Sequence, residues 1–67
     1  MKIKARADFS EMRIKKGYSI TGLAKVMQVN PSVVFHMEHG NSIRPATAKK
    51  TCDALNEPFE NLFIIEN

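Results

Sequence analysis

His36 and His39 stand three residues apart with Glu38 between them, a spacing that sets both imidazoles on one side of a helix and invites a metal. A structural zinc needs four ligands, and the one cysteine, Cys52, has no second cysteine at ligand spacing. Cys52 with His36 would make a thiol–imidazole pair, but no third orienting group and no oxyanion donor accompanies it. The three glycines, Gly17, Gly22 and Gly40, are isolated, so no glycine-rich loop is available to cradle a phosphate. The expectation is no metal, no cofactor and no catalytic residue. The chain reads as a non-enzyme.

What remains is charge. All ten Lys and Arg residues lie within positions 1–50, against only Asp8, Glu11 and Glu38 there. Positions 51–67 hold Asp53, Glu57, Glu60 and Glu66 and no Lys or Arg. Such polarity suits a basic face for a polyanion and an acidic end facing elsewhere, although a solvated surface of mixed charge would read the same way. Charge alone does not decide.

The elements that must carry these groups are short. Lys2, Lys4, Arg6 and Asp8 alternate with Ile3, Ala5, Ala7 and Phe9, which predicts a strand over the first part of 2–9. Asp8 is placed to cap a helix over 9–16 that Gly17 ends. Phe9, Met12 and Arg13 share one side of it. Ser19 caps a second helix from Ile20 to about Met27, with Ile20, Leu23, Ala24 and Met27 inward. After the break Gln28-Val29-Asn30, the pair Asn30-Pro31 starts a third helix that runs to about His39, buries Val34 and Met37, and stops at Gly40. A polar loop over 41–44 leads to a fourth helix from Pro45 to Leu55, with Ala48, Thr51, Cys52 and Leu55 inward. Asn56 ends it, Pro58 opens a one-turn fifth helix, and 63–65 reads as a closing strand.

The stretch from Ser19 to Gly40 is the informative one. Two capped helices of similar length across a three-residue break form a helix-turn-helix layout. Ala24 supplies the small residue where the axes approach, Val29 the inward apolar residue of the turn, and Val34 with Met37 a narrow buried stripe. The opposite face of the third helix is left free.

At these residues the chain resembles the small phage repressor and Cro-like helix-turn-helix regulators, often called the XRE family. The resemblance is carried by 12–19, Leu23-Ala24, Val29-Asn30, Val34, 37–40, Arg44-Pro45, Thr47-Ala48, 54–56 and Leu62-Phe63, covering roughly 9–63. It implies an all-α, lambda-repressor-like bundle of four to five short helices, here with short N- and C-terminal strands, in one domain over 1–67. It also implies double-stranded DNA as partner, the third helix in the major groove, and a homodimer on a near-palindromic operator. Arg13 and Glu38 match an ion pair that joins the first helix to the end of the third.

Carried over by position, base contacts fall on Pro31, Ser32, Val33, Phe35 and His36. Only Ser32 and His36 hydrogen-bond base edges; Pro31, Val33 and Phe35 suit thymine methyl groups, so readout should lean to A·T. Phosphate contacts fall on Ser19, Asn30, His39, Asn41 and Arg44. Ser19 and Asn30 owe this role to free N–H groups at helix N-termini. Ile20 stands where the family commonly has a phosphate-holding Gln. Gln28 stands where it often has Gly, which places a side chain in a left-handed conformation at a cost of roughly 1 kcal/mol.

Val33 and Phe35 admit a second reading. They are either covered by a neighbouring element or exposed, and if exposed they suit a protein partner. An interaction module or an antitoxin on the same fold is therefore the alternative to a repressor. The N-terminal strand has three readings: pairing with 63–66, extending across a dimer, or forming a basic arm on DNA. Pairing within the chain is favoured, because neither strand is stable alone.

Size fits these readings. Sixty-seven residues with net charge +3, 43% hydrophobic, make one small domain with a thin core, which a second subunit would help. The longest apolar run, 62–65, is far short of the ~20 residues that span a bilayer, and no apolar stretch follows the basic N-terminus. No membrane association is expected. A lone cysteine suits a reducing compartment, and the expected location is the cytoplasm of a bacterium or phage-infected cell.

Overall fold

The computed structural model describes all 67 residues, Met1–Asn67. The alternating N-terminal residues form β1 (Lys2–Ala5), which pairs antiparallel with β2 (Phe63–Glu66) and so joins the two ends of the chain. Lys2 lies opposite Glu66, Ile3 opposite Ile65, Lys4 opposite Ile64 and Ala5 opposite Phe63. Lys4 Nζ sits 3.2 Å from Glu66 Oε1, an exposed pair whose contribution is small. Of the three readings of the N-terminal strand, pairing within the chain is the one observed.

Between the strands lie α1 (Phe9–Lys15), α2 (Ile20–Met27), α3 (Pro31–Glu38), α4 (Pro45–Leu55) and the single turn α5 (Phe59–Leu62). Helix α2 packs on both α3 and α4. One buried cluster holds them: Ile3, Phe9, Leu23, Ala24, Met27, Val34, Met37, Ala48, Leu55, Leu62 and Phe63. Phe63 joins the sheet to this core, its ring centroid 5.8 Å from Phe9 and 5.5 Å from Phe59. Each of α1 to α4 is thus amphipathic, with its apolar stripe turned to a shared centre. No helix is long and apolar enough to cross a membrane.

The four longer helices all stop on a left-handed residue followed by a backbone bond that reaches back five positions. Gly17 (φ 88°) and Gly40 (φ 86°) do this for α1 and α3, where a side chain would be strained. Gln28 (φ 61°) and Asn56 (φ 54°) do it for α2 and α4. The bonds run from Tyr18 N–H to Arg13 O, Val29 N–H to Ala24 O, Asn41 N–H to His36 O and Glu57 N–H to Cys52 O, all between 3.0 and 3.2 Å. These motifs give the short helices definite ends and therefore definite exits.

Two expectations need correction. Asp8 occupies the N-cap of α1 but its side chain makes no cap bond; its backbone (φ −96°, ψ 14°) is not the extended conformation a capping side chain needs. Its carboxylate instead lies 3.6 Å from Arg6 Nε. Cys52 is only partly buried, and lines a cavity of about 340 Å³ with Ile3, Ala48, Lys49, Glu57 and Phe59. Burial still pushes its thiol up, and the neighbouring Asp53 carboxylate adds to the shift. The thiolate needed for nucleophilic work is disfavoured.

Candidate nucleic-acid interface

Helix α3 is held from beneath and bare above. Val34 and Met37 are fully buried, against a turn of α2 where Ala24 leaves room. Pro31, Ser32, Phe35 and His36 are exposed and Val33 is half-buried. Phe35 is 46% exposed, so much of its ring faces solvent. The exposed face of this eight-residue helix mixes polar and apolar side chains and carries no Lys or Arg.

The far end of α3 is anchored to α1. Glu38 receives Arg13 through Nε and Nη2 and the Ser10 hydroxyl, the last at 2.7 Å. Arg13 Nη1 also donates to Tyr18 O at 2.7 Å, so the same guanidinium ties α3 to the exit of α1. Their side chains are only 10% and 7% exposed. A charge pair this dry is retained by geometry and full hydrogen bonding, and it fastens the end of α3 to α1.

His39, an expected phosphate contact, is the C-cap of α3. Its ring stacks on Phe35, centroids 4.0 Å apart and planes 29° apart. Its Nδ1 lies 2.8 Å from Phe35 O, and since a carbonyl only accepts, that nitrogen carries the proton and donates. The His36 ring meets Phe35 edge-on at 5.7 Å. Three exposed rings therefore form one cluster on the bare face, which spacing alone did not reveal.

The helix N-termini are unequal. At α2, Ser19 Oγ accepts from Gly22 N–H at 2.9 Å, leaving the Ile20 and Thr21 N–H groups without a partner. At α3, Asn30 Oδ1 accepts from Ser32 N–H and Asn30 O from Val33 N–H, each at 2.9 Å, while Pro31 has no N–H. The Ser32 and Val33 N–H groups are therefore partnered within the chain, by the side chain and the carbonyl of Asn30. The start of α4 is more open. Arg44 is its N-cap without a side-chain cap bond, Pro45 has no N–H, and the Ala46 and Thr47 N–H groups are unpartnered.

The loop from α3 to α4 is pinned by an unforeseen contact. Ile43 forms a bridge to Ile3, its N–H donating to Ile3 O at 2.9 Å. The strand β1 thereby holds the segment carrying exposed Asn41 and Arg44. Between this loop and α3 runs an open groove of about 570 Å³, lined by Val33, His36, Ser42, Ile43, Arg44 and Thr47. It brings Val33 and His36, the expected base contacts, beside Arg44 and the free N–H of Thr47. Ser42 was not singled out from sequence and Thr47 only as a residue that carries the resemblance; the one further signal was an isolated Ile in a polar loop.

Charge is thinner here than the composition suggested. Lys4, Arg6, Arg13, Lys16 and Lys49 are engaged by Glu66, Asp8, Glu38, Glu57 and Asp53. Lys2, Lys15, Lys25, Arg44 and Lys50 carry no ion pair, and Arg44 alone of these lines the groove. The acidic C-terminal stretch does not simply face away; Glu57 and Glu66 neutralise basic residues of the first half.

Compared with known proteins, residues 9–62 match a family model described as helix-turn-helix, spanning the first residue of α1 to the last of α5. No curated protein matches the chain.

Proposed function

The chain belongs to the Cro/C1-type, XRE-like helix-turn-helix family of DNA-binding regulators, and from that membership we propose that it is a repressor binding a near-palindromic operator as a homodimer. The observation that carries this reading is the bare face of α3 beside the Arg44 groove. A helix of that diameter fits the major groove, and the unpartnered N–H groups of α2 and α4 suit phosphates on either side of it.

In this reading Ser32 and His36 hydrogen-bond base edges, while Pro31, Val33 and Phe35 contact thymine methyl groups. Ser19, Asn41 and Arg44 meet the backbone and set register without reading sequence. Asn30 acts as the cap that orients Ser32. Two subunits place their third helices in successive major grooves about 34 Å apart and exclude polymerase by occupancy. Such a complex needs nothing catalytic and no cofactor.

The exposure of Phe35 favours one competing reading, a protein-docking face on the same fold, as an antitoxin would use. Selection from a randomised duplex library at about 0.15 M salt separates the two, since weak surface electrostatics is largely screened there. Enrichment of two-fold sites with half-sites about 10 bp apart is the expected result. Salt-sensitive bulk binding without enrichment would overturn the operator reading in favour of a protein partner.

A further inference from the structure

We infer that His39 is a positioning residue for Phe35, fixing that ring as the element of α3 that reads a C5-methyl group; the inference rests on the operator reading above. Phe35 is nearly half exposed, and on a helix a side chain in that state has two open χ1 wells, the third being blocked by the preceding turn. An unrestrained ring would lose conformational entropy on every encounter with a base, and that loss erodes a methyl contact of small size.

His39 removes the freedom. It sits four positions on, and helical side chains lean toward the N-terminus, so its imidazole lies back over Phe35. The stack at 4.0 Å covers one face of the phenyl ring. The bond from Nδ1 to Phe35 O at 2.8 Å locks the imidazole to the backbone of the very residue it covers. The lock is firm because Gly40 ends the helix one residue later and Glu38 is clamped by Arg13 one residue earlier. With the His36 ring at its edge, Phe35 keeps its remaining surface for a ligand. That surface is apolar and aromatic, and in the major groove the matching group is the thymine methyl. The same bond occupies Nδ1, which argues against a backbone-phosphate role for His39.

The test replaces, one at a time, each thymine of the selected operator by deoxyuridine, deleting only the methyl group. Affinities are measured for the wild-type protein, His39→Ala and His39→Phe. The wild type should lose about fourfold at one thymine per half-site, the scale of one buried methyl group. His39→Ala should bind the thymine site more weakly and show almost no further loss with deoxyuridine. His39→Phe, which keeps a ring over Phe35, should recover most of the discrimination. Both variants change an exposed side chain, and their melting curves serve as the folding control. An undiminished deoxyuridine penalty in His39→Ala overturns the positioning role and leaves the operator reading intact. Uniform weakening with a shallower salt dependence overturns it in favour of a phosphate contact. If no duplex is enriched at all, the operator reading falls, and this role with it.

Discussion

Arg13 on α1 and Glu38 at the end of α3 form a nearly dry ion pair that also engages the Ser10 hydroxyl and the Tyr18 carbonyl. Every polar atom of the pair is occupied, and no buried side-chain nitrogen or oxygen in the protein lacks a partner. The pair sets the angle at which α3 is presented. Removing one member leaves the other charge buried and uncompensated, which costs about 3–5 kcal/mol. Arg13→Ala and Glu38→Ala should each lower the urea midpoint by that scale, while Arg13→Met with Glu38→Leu should regain much of it. Single variants within about 1 kcal/mol of wild type would show the pair to be solvated.

Arg44 is the one unpaired cation lining the groove beside α3. Arg44→Ala should weaken binding to all duplexes alike and reduce the salt slope by about one unit. Titrations at several salt concentrations measure this. An unchanged slope would remove Arg44 from the phosphate contacts.

Ser32 and His36 are the hydrogen-bonding side chains on the bare face. Truncating either to Ala should relax preference at one base position per half-site by about 1–3 kcal/mol, with little change elsewhere. Repeating the duplex selection with each variant shows which position is relaxed. A preference left identical in both would mean that sequence is read by shape or by the aromatic cluster.

Gln28 holds a left-handed conformation at φ 61°. That conformation costs a side chain about 1–2 kcal/mol, and a glycine there gives back about 0.5–1 kcal/mol through its unfolded-state entropy. Gln28→Gly should therefore stabilise modestly, and Gln28→Val should destabilise, in denaturant titrations. A loss of stability in Gln28→Gly would contradict the strain.

Lys16 Nζ lies 2.7 Å from Glu57 Oε2, and Asn61 Nδ2 donates to Oε1 at 3.0 Å. The lysine first and the amide second hold the Glu57 carboxyl below its ordinary range. A carboxyl depressed in the folded state stabilises at pH values above its unfolded value, and that stabilisation disappears as pH falls through the folded one. The melting temperature of the wild type should exceed that of Glu57→Gln at neutral pH, and the gap should close on acidification. A gap independent of pH would show that the ionised form contributes nothing.

Much of this molecule is written in short-range pattern. Caps, breakers and periodicity marked all five helices, the turn at Gln28, the terminal strands and the inward stripe of Val34 and Met37, because these depend on neighbours within a few residues. The Arg13–Glu38 pair was expected from the family resemblance. What the chain meets only after folding was not legible. The bridge from Ile43 to Ile3 joins segments forty residues apart, and the isolated Ile in a polar loop does not say which segment it meets. The open N–H groups at the start of α4 were not foreseen, since which N–H is consumed depends on cap geometry. The pairing of Glu57 and Glu66 with Lys16 and Lys4 likewise follows from packing, and it thins the basic field that composition suggested. The stack of His39 on Phe35 is local to the helix, but the exposure of Phe35 was decided by the tertiary arrangement alone: a helical repeat assigns a face to each residue, and only the neighbouring elements determine whether that face is covered.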